Sequence, residues 1–189
     1  MWAMLILTKI WKAFKEFEKL GLLESKVKTR LHCAQATGCG PISRAILEKS
    51  EVIRPEKPKT LAKSLAIGNP ADGYYAKDAV FQSGGSAALV TDEEIQEGIK
   101  LLAETEGIFT ETAGGVTVAS ALKLVREGKI KPGEPTVLAI TGNGLKTQEA
   151  IQKSVGSPIT IEPNVTSFEA RVMGGYNASK TEERPCRSK

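Results

Sequence analysis

Aromatic residues, histidine and cysteine are all scarce in this sequence. Only 5% of the 189 residues are aromatic, and the chain has one histidine and three cysteines. Structural zinc sites need four closely spaced Cys or His ligands, so this supply argues against a zinc protein. The odd cysteine count and the lack of a Cys-x-x-Cys pair predict reduced thiols in a cytoplasmic protein rather than a disulfide scaffold.

Long runs of one charge are also missing. The net charge is +4, and lysines and arginines are scattered among the acidic residues. Nucleic-acid-binding segments concentrate basic residues, so the pattern predicts no nucleic-acid partner. A mild positive excess is compatible with an anionic small molecule.

No apolar run is long enough to cross a membrane. Residues 1–10 are apolar, but Lys12 and Lys15 follow closely and no small-residue cleavage site comes after them. A spanning helix needs about 20 apolar residues. We therefore expect neither a membrane segment nor a secretion signal.

Common catalytic signatures are absent as well. No G-x-x-x-x-G-K-[ST] or G-x-G-x-x-G motif stands in a suitable context. Any Ser–His or Cys–His arrangement would depend on His32 alone, and His32 falls in a predicted strand. Cys39 lies in a glycine turn, where it is either a reactive thiol or a small residue required by the turn.

What the sequence does contain is glycine, 18 residues of it, between alternating strand and helix patterns. The predicted helices are 8–20, 42–48, 60–67, 74–82, 91–106 and 116–127, and the predicted strands are 29–36, 87–90, 108–110, 136–140 and 159–162. Repeated strand–turn–helix units predict an α/β fold, a parallel sheet with helices on both faces. We predict one domain over residues 1–173 and a polar, disordered tail over 174–189.

The best-defined helix has signals at both ends. Thr91, with Glu94 three residues later, predicts a capping box. Ile95 and Ile99 form a buried stripe, and Gly107 predicts the end of the helix.

Glycine turns follow the ends of predicted strands at 38–40, 114–115 and 141–144. In open α/β sheets, ligands bind beyond the carboxyl ends of the strands, where glycine lets a planar or phosphorylated ligand approach the backbone. Each turn has the alternative explanation that tight turns simply need glycine. Because all three are predicted at one sheet edge, together they indicate a binding cleft.

Five stretches resemble the threonine synthase family of fold-type-II pyridoxal-phosphate enzymes, in that family's order and at about its spacing. They are HCAQATGCGPI (32–42), SLAIGNPADG (64–73), VTDEEI (90–95), EGIFTETAGG (106–115) and ITGNGLKT (140–147). The resemblance implies part of a tryptophan synthase β-like large domain, with pyridoxal 5'-phosphate as cofactor. The implied reaction converts O-phosphohomoserine, a phosphorylated amino acid, and water to threonine and phosphate.

The resemblance also implies site roles. Thr141 matches the residue whose hydroxyl meets the pyridine nitrogen, and Gly142, Asn143 and Gly144 complete that turn. Gly38, Cys39 and Gly40 match the turn beside the cofactor ring, and residues 111–115 match the neighbouring turn and helix start.

Two family motifs do not occur in the 189 residues: the Ser-Phe-Lys-Asp-like motif of the Schiff-base lysine and the Gly-Asn-rich cofactor-phosphate turn. Lys146 belongs to a different turn and is no substitute. The chain is therefore expected to be a C-terminal fragment without a catalytic residue of its own, joining a homo-oligomer or a complementing N-terminal fragment. Alternatives are a serine/threonine dehydratase of the same superfamily and a non-catalytic remnant that associates with a complete subunit.

Overall fold

A computed structural model of the chain describes residues 2–156 and 158–173. The described residues form two compact units, divided after Ile151. In chain order, the helices and strands are α1 (Trp2–Lys19), β1 (Cys33–Ala36), α2 (Pro41–Leu47), α3 (Gly73–Gln82), β2 (Ala87–Val90), α4 (Asp92–Glu106), α5 (Thr112–Arg126) and α6 (Val165–Phe168). A π-helical turn, Glu169–Met173, follows α6 in the second unit.

The first unit is built on a small parallel sheet. Strands β1 and β2 pair in register from Cys33 opposite Ala87 to Ala36 opposite Val90. A parallel pair needs a long crossover, and α2 and α3 supply it. The α/β class predicted from the sequence is confirmed.

Helices cover both faces of this sheet. On one face, Cys33 and Ala87 pack in an apolar cluster with residues of α2 and α3. On the other, Ala36 and Val90 join Ile95 of α4 in a second cluster. Side chains alternate between the faces of a strand, so each short strand contributes to both cores.

Helix α4 forms as its sequence predicts. The Glu94 N–H donates to Thr91 Oγ1 (3.2 Å), and the Thr91 N–H donates to Glu94 Oε2 (2.7 Å). Gly107 takes a left-handed conformation with φ of 68° and donates its N–H to the Ala103 carbonyl. The capping box and the glycine stop are therefore both confirmed.

Glycines let α4 and α5 approach each other closely. A Cβ on Gly98 would lie 2.6 Å from the Gly115 carbonyl oxygen, and a Cβ on Gly115 would lie 2.6 Å from the Ile95 carbonyl oxygen. No side chain larger than hydrogen fits at either position. This backbone-to-backbone contact fixes where the first turn of α5 lies.

Several predicted strands do not form. Residues 136–140 pair with no strand, and Val137 is 95% exposed. A buried parallel strand needs neighbours for its N–H and C=O groups, and no strand flanks this run in the described part of the chain. Residues 108–110 make only an isolated bridge, between Thr110 and Asn143, and 159–162 form no strand.

Several boundaries also differ from the prediction, among them that of α5, which begins at Thr112 rather than at residue 116. Strand β1 begins at Cys33 rather than at residue 29, and α1 begins at Trp2 rather than at residue 8. Residues 60–67, predicted as a helix, contain only a 3-10 turn at Lys63–Leu65, because prolines and glycine on either side limit its length. The predicted tail, 174–189, lies outside the described residues, so the domain boundary stays a prediction.

None of the described helices is long and apolar enough to span a membrane.

Replacing Thr91 by alanine should destabilise the first unit by about 0.5–2 kcal/mol, because the Glu94 N–H in the first turn of α4 loses its acceptor, the Thr91 hydroxyl. Urea unfolding followed by circular dichroism measures the loss. Thr105→Ala is the matched control: Thr105 lies on the same helix and bonds only the Leu101 carbonyl of the preceding turn. Equal losses for the two variants would contradict the role given to the cap.

Candidate functional site

The 141–144 turn is held against the start of α5. The Gly144 N–H donates to the Phe109 carbonyl (3.0 Å), and the Glu111 N–H donates to the Gly142 carbonyl (3.4 Å). Gly142 has φ of 80°, and a Cβ there would overlap the Glu111 carboxyl group. The 141–144 turn is thus brought against residues 109–111, just before α5. Gly114 and Gly115, predicted as a turn, lie inside α5 instead.

Some polar side chains at this turn have hydrogen-bond partners, and one does not. Asn143 Oδ1 accepts the Leu145 N–H (2.9 Å), and Thr110 Oγ1 donates to the Gly142 carbonyl (3.4 Å). Thr141 is exposed, and its hydroxyl bonds no other group in the part of the chain that the structure describes. This hydroxyl is available to a ligand.

A second hydroxyl without a partner lies at the start of α5. Thr112 is fully buried, and its Oγ1 has no hydrogen-bond partner among the described residues. An unsatisfied buried hydroxyl costs about 1–3 kcal/mol, so buried polar atoms normally have partners. Thr112 directly follows Glu111, which holds the 141–144 turn.

The third turn, residues 38–40, is packed by its own chain. Cys39 is only 1% exposed. The Lys59 N–H donates to the Gly38 carbonyl (2.8 Å), and the Gly40 N–H donates to Glu56 Oε2 (3.1 Å). A Cβ on Gly38 would overlap the Lys59 carbonyl, so glycine is required here by close packing.

Glu56 places a carboxylate at the start of α2. It pairs with Arg44, whose Nε lies 2.7 Å from Glu56 Oε1. Burial raises the pKa of Glu56, but the hydrogen bonds from Arg44 and from the Gly40 N–H, with the Arg44 charge, outweigh burial and hold the pKa below its ordinary value. The N–H group expected to face a ligand anion is thus already bonded. Glu56 lies in a charged, proline-containing loop, and nothing in the local sequence marks it.

Asp92 holds the same loop from the other side. Thr60 Oγ1 donates to Asp92 Oδ1 (2.5 Å), and the Leu61 N–H donates to Asp92 Oδ2 (3.1 Å). The sequence pattern of α4 predicts the capping roles of Thr91 and Glu94, but it does not predict that Asp92 holds this loop. Loop 56–61 is therefore anchored at both ends over the 38–40 turn.

All three glycine segments border one apolar cluster. Ala36, just before the 38–40 turn, and Val116, just after Gly115, belong to that cluster together with Phe109. The 38–40 turn, however, bonds to loop 56–61, whereas the 141–144 turn bonds to residues 109–111. The cofactor roles predicted for residues 38–40 and 141–144 stay predictions.

His32 has a structural partner. Its Nδ1 accepts the Ser86 N–H (3.1 Å) next to β2. Burial, followed by the nearby Arg30 charge, lowers the pKa of His32, so the ring is neutral at physiological pH. This bond joins the residue before β1 to the residue before β2.

The two described thiols are buried and free. Burial raises the pKa of Cys33 to about 11, although the Ser43 hydroxyl bond opposes the shift. Burial and then the Glu56 charge raise the pKa of Cys39. A nucleophilic cysteine needs a lowered pKa and exposure, so the turn explains Cys39 better than reactivity does. Cys186 lies outside the described residues.

Comparison with known families gives a match over most of the chain. Residues 6–142 match the family described as "Pyridoxal-phosphate dependent enzyme".

Similar curated proteins carry the name threonine synthase. The protein of Methanocaldococcus jannaschii is 43% identical over 157 residues, which cover 82% of this chain and 38% of that protein. The protein of Bacillus sp. (strain ULM1) is 43% identical over 169 residues, covering 89% and 45%. The chain thus spans less than half the length of these relatives, and it matches their C-terminal portion.

Among solved structures, maize serine racemase is similar to part of the chain. The TM-score is 0.41 at 20% sequence identity, over 49% of this chain and 28% of that one.

Replacing Glu56 by glutamine should destabilise the chain by about 1–3 kcal/mol at pH 7, because charge-assisted bonds to Arg44 and Gly40 are lost. The pKa of Glu56 is lowered in the folded state. Its stabilisation is therefore complete above the unfolded pKa and is lost as pH falls through the folded pKa. Urea unfolding from pH 7 down to about pH 3 should show the difference between the variant and the unchanged protein narrowing below about pH 4.5.

The matched control for this test is Glu97→Gln. Glu97 forms an exposed pair with Lys100 on α4, and exposed pairs contribute about 0–1 kcal/mol. A Glu56→Gln loss that is no larger than the control, or that does not change with pH, would contradict the role of the Glu56 carboxylate.

Proposed function

The chain belongs to the pyridoxal-phosphate-dependent enzyme family, and from that membership we propose that it serves as the C-terminal portion of a threonine synthase. The proposed reaction converts O-phosphohomoserine and water to threonine and phosphate. The observation that carries the proposal is the 43% identity to threonine synthases over 157 and 169 residues. The proposed substrate is a phosphorylated amino acid, and the proposed location is the cytoplasm.

The residues present fit the ring end of pyridoxal phosphate. Thr141 offers an exposed hydroxyl, and the buried Thr112 hydroxyl lacks a partner in the described structure. Both are uncharged groups that can donate or accept a hydrogen bond. When bound, the cofactor supplies an electron sink that stabilises negative charge at the substrate carbons.

In this proposal Thr141 orients the ring through the pyridine nitrogen. A hydroxyl, unlike a carboxylate, does not favour a protonated ring nitrogen. Gly142, Asn143 and Gly144 keep Thr141 in place, since their bonds attach the turn to residues 109–111 and to Leu145. Gly38, Cys39 and Gly40 would line one side of the ring.

The residues that hold the cofactor phosphate and its lysine are proposed to lie outside the 189 residues. Neither family motif is in the sequence. Lys146 ends the 3-10 turn Gly144–Lys146 and is exposed, and in this proposal it does not replace the family's lysine. The proposed partner is a homo-oligomer or a complementing N-terminal fragment.

A chimaera tests the proposal. The matching 157-residue region of the Methanocaldococcus jannaschii threonine synthase is replaced by that of this chain, and phosphate release from O-phosphohomoserine is measured with added cofactor. Activity near that of the parent supports the proposal. A chimaera that forms 2-oxo acid from serine or threonine, and no phosphate, would favour the dehydratase. A folded chimaera that is inactive on both substrates would favour the non-catalytic remnant.

The purified chain alone, with added pyridoxal phosphate, should release no phosphate from O-phosphohomoserine. The chemistry needs a lysine amine placed at the cofactor for proton transfer, and the family's lysine motif is not in the sequence. A phosphate assay against a no-enzyme blank measures the rate. Turnover with one stoichiometric cofactor per chain would show that a lysine within the 189 residues does this work.

In the chimaera, Thr141→Val should weaken cofactor binding by about 0.5–1.5 kcal/mol, the value of one hydrogen bond, and should also lower kcat. Cofactor titration and steady-state kinetics report the two effects. The control is Thr136→Val, since Thr136 bonds only the nearby Glu134 carbonyl. Unchanged affinity and turnover in the Thr141 variant would reject the assignment.

A further inference from the structure

A groove of about 360 Å³ lies between α1 and α3, and none of its lining residues belongs to the three glycine turns. One wall presents Asp72, which directly precedes α3, and Tyr75 and Asp78, which lie three apart on one face of α3. Its α1 wall presents Trp11 and lysines. The groove therefore has acidic and basic walls that face each other, with an aromatic ring on each.

One end of the groove is held by a short polar network. Trp11 Nε1–H and Lys15 Nζ both donate to Gln82 Oε1, at 3.0 and 3.4 Å. Lys15 Nζ also lies 5.9 Å from the centre of the Trp11 ring. Gln82 thus joins the two helices and fixes the Trp11 ring in the wall.

The remaining charged side chains of the groove form few bonds with the described residues. Lys9, Asp72 and Asp78 make no side-chain hydrogen bond or ion pair with the described residues. Lys12 bonds only Glu16, in an exposed pair one helical turn away. The two walls carry opposite charges, yet their charged groups do not pair across the gap.

We propose that this groove binds a free α-amino acid in its zwitterionic form. The carboxylate would bind the lysines of α1, the ammonium group would bind Asp72 and Asp78, and Trp11 and Tyr75 would contact the carbon skeleton. A simple anion or cation would be attracted by the oppositely charged wall of the groove and repelled by the other wall. Exposed ion pairs contribute about 0–1 kcal/mol each, so the dissociation constant is expected in the millimolar range. The proposal does not depend on the function proposed above.

Trp11 fluorescence tests the idea. The full chain with Trp2→Phe has Trp11 as its only tryptophan. L-alanine is the probe, because it carries the two charges and a minimal side chain. Sodium acetate and methylammonium chloride, at matched ionic strength, supply each charge alone. The expected result is a saturable change with L-alanine and none with either single ion. No saturable change with L-alanine, or an equal change with acetate or methylammonium, overturns the proposal.

Variants locate the binding. Lys9→Met and Asp78→Asn, both at exposed positions, should each weaken L-alanine binding about fivefold, equivalent to about 1 kcal/mol, the upper value for an exposed ion pair. The matched controls are Lys19→Met, at the end of α1, and Glu104→Gln, on α4, and neither should change the affinity. Circular dichroism and the Trp11 indole N–H resonance confirm that each variant keeps its fold. Unchanged affinity in both groove variants rejects the site.

Discussion

The close approach of α4 and α5 is the constraint on which the candidate site depends. Because Gly98 and Gly115 have no side chains, the two helices meet backbone to backbone. That contact sets the position of Thr112 and of Glu111 before it. Glu111 in turn bonds the turn that carries Thr141. A methyl group added at either glycine would therefore displace the start of α5, then Glu111 and then the 141–144 turn, although the methyl group itself contacts no ligand-binding residue.

Carboxylates help to hold the loop that covers the other glycine turn. Leu61 packs against the second apolar cluster, and Glu56 and Asp92 together receive bonds from Arg44, from backbone N–H groups and from the Thr60 hydroxyl. Hydrogen bonds with one charged partner are stronger than neutral ones. A loop that contains lysines and a proline is thereby fixed by both kinds of contact.

The sequence predicts those features whose causes are local. Helix α4 and strand β2 are confirmed at or near their predicted ends, because the capping box, Gly107 and a short apolar run act within a few residues. The strand predicted from the apolar run 136–140 is wrong, because a strand forms only when another strand bonds to it. No local sequence pattern shows whether such a partner is present.

The candidate site divides in the same way. Glycines after predicted strands mark its segments, and residues 109–111 and 141–144 do lie together. The positions of Glu56 and Asp92 depend on contacts 16 and 31 residues away in the chain, so an inspection of neighbouring residues could not find them. The same holds for the buried Thr112 hydroxyl, because burial is a property of the packed helices.

The unpaired run 136–140 also bears on how the chain behaves at high concentration. Thr-Val-Leu-Ala-Ile combines high β propensity with no charge, and Val137 is almost fully exposed. Such a segment is a template for intermolecular strand pairing and fibril growth. Glu134 and Pro135 stand directly before it, and a charge and a proline next to an aggregation-prone strand act as gatekeepers. Two residues that have no part in the candidate site therefore oppose association through this run.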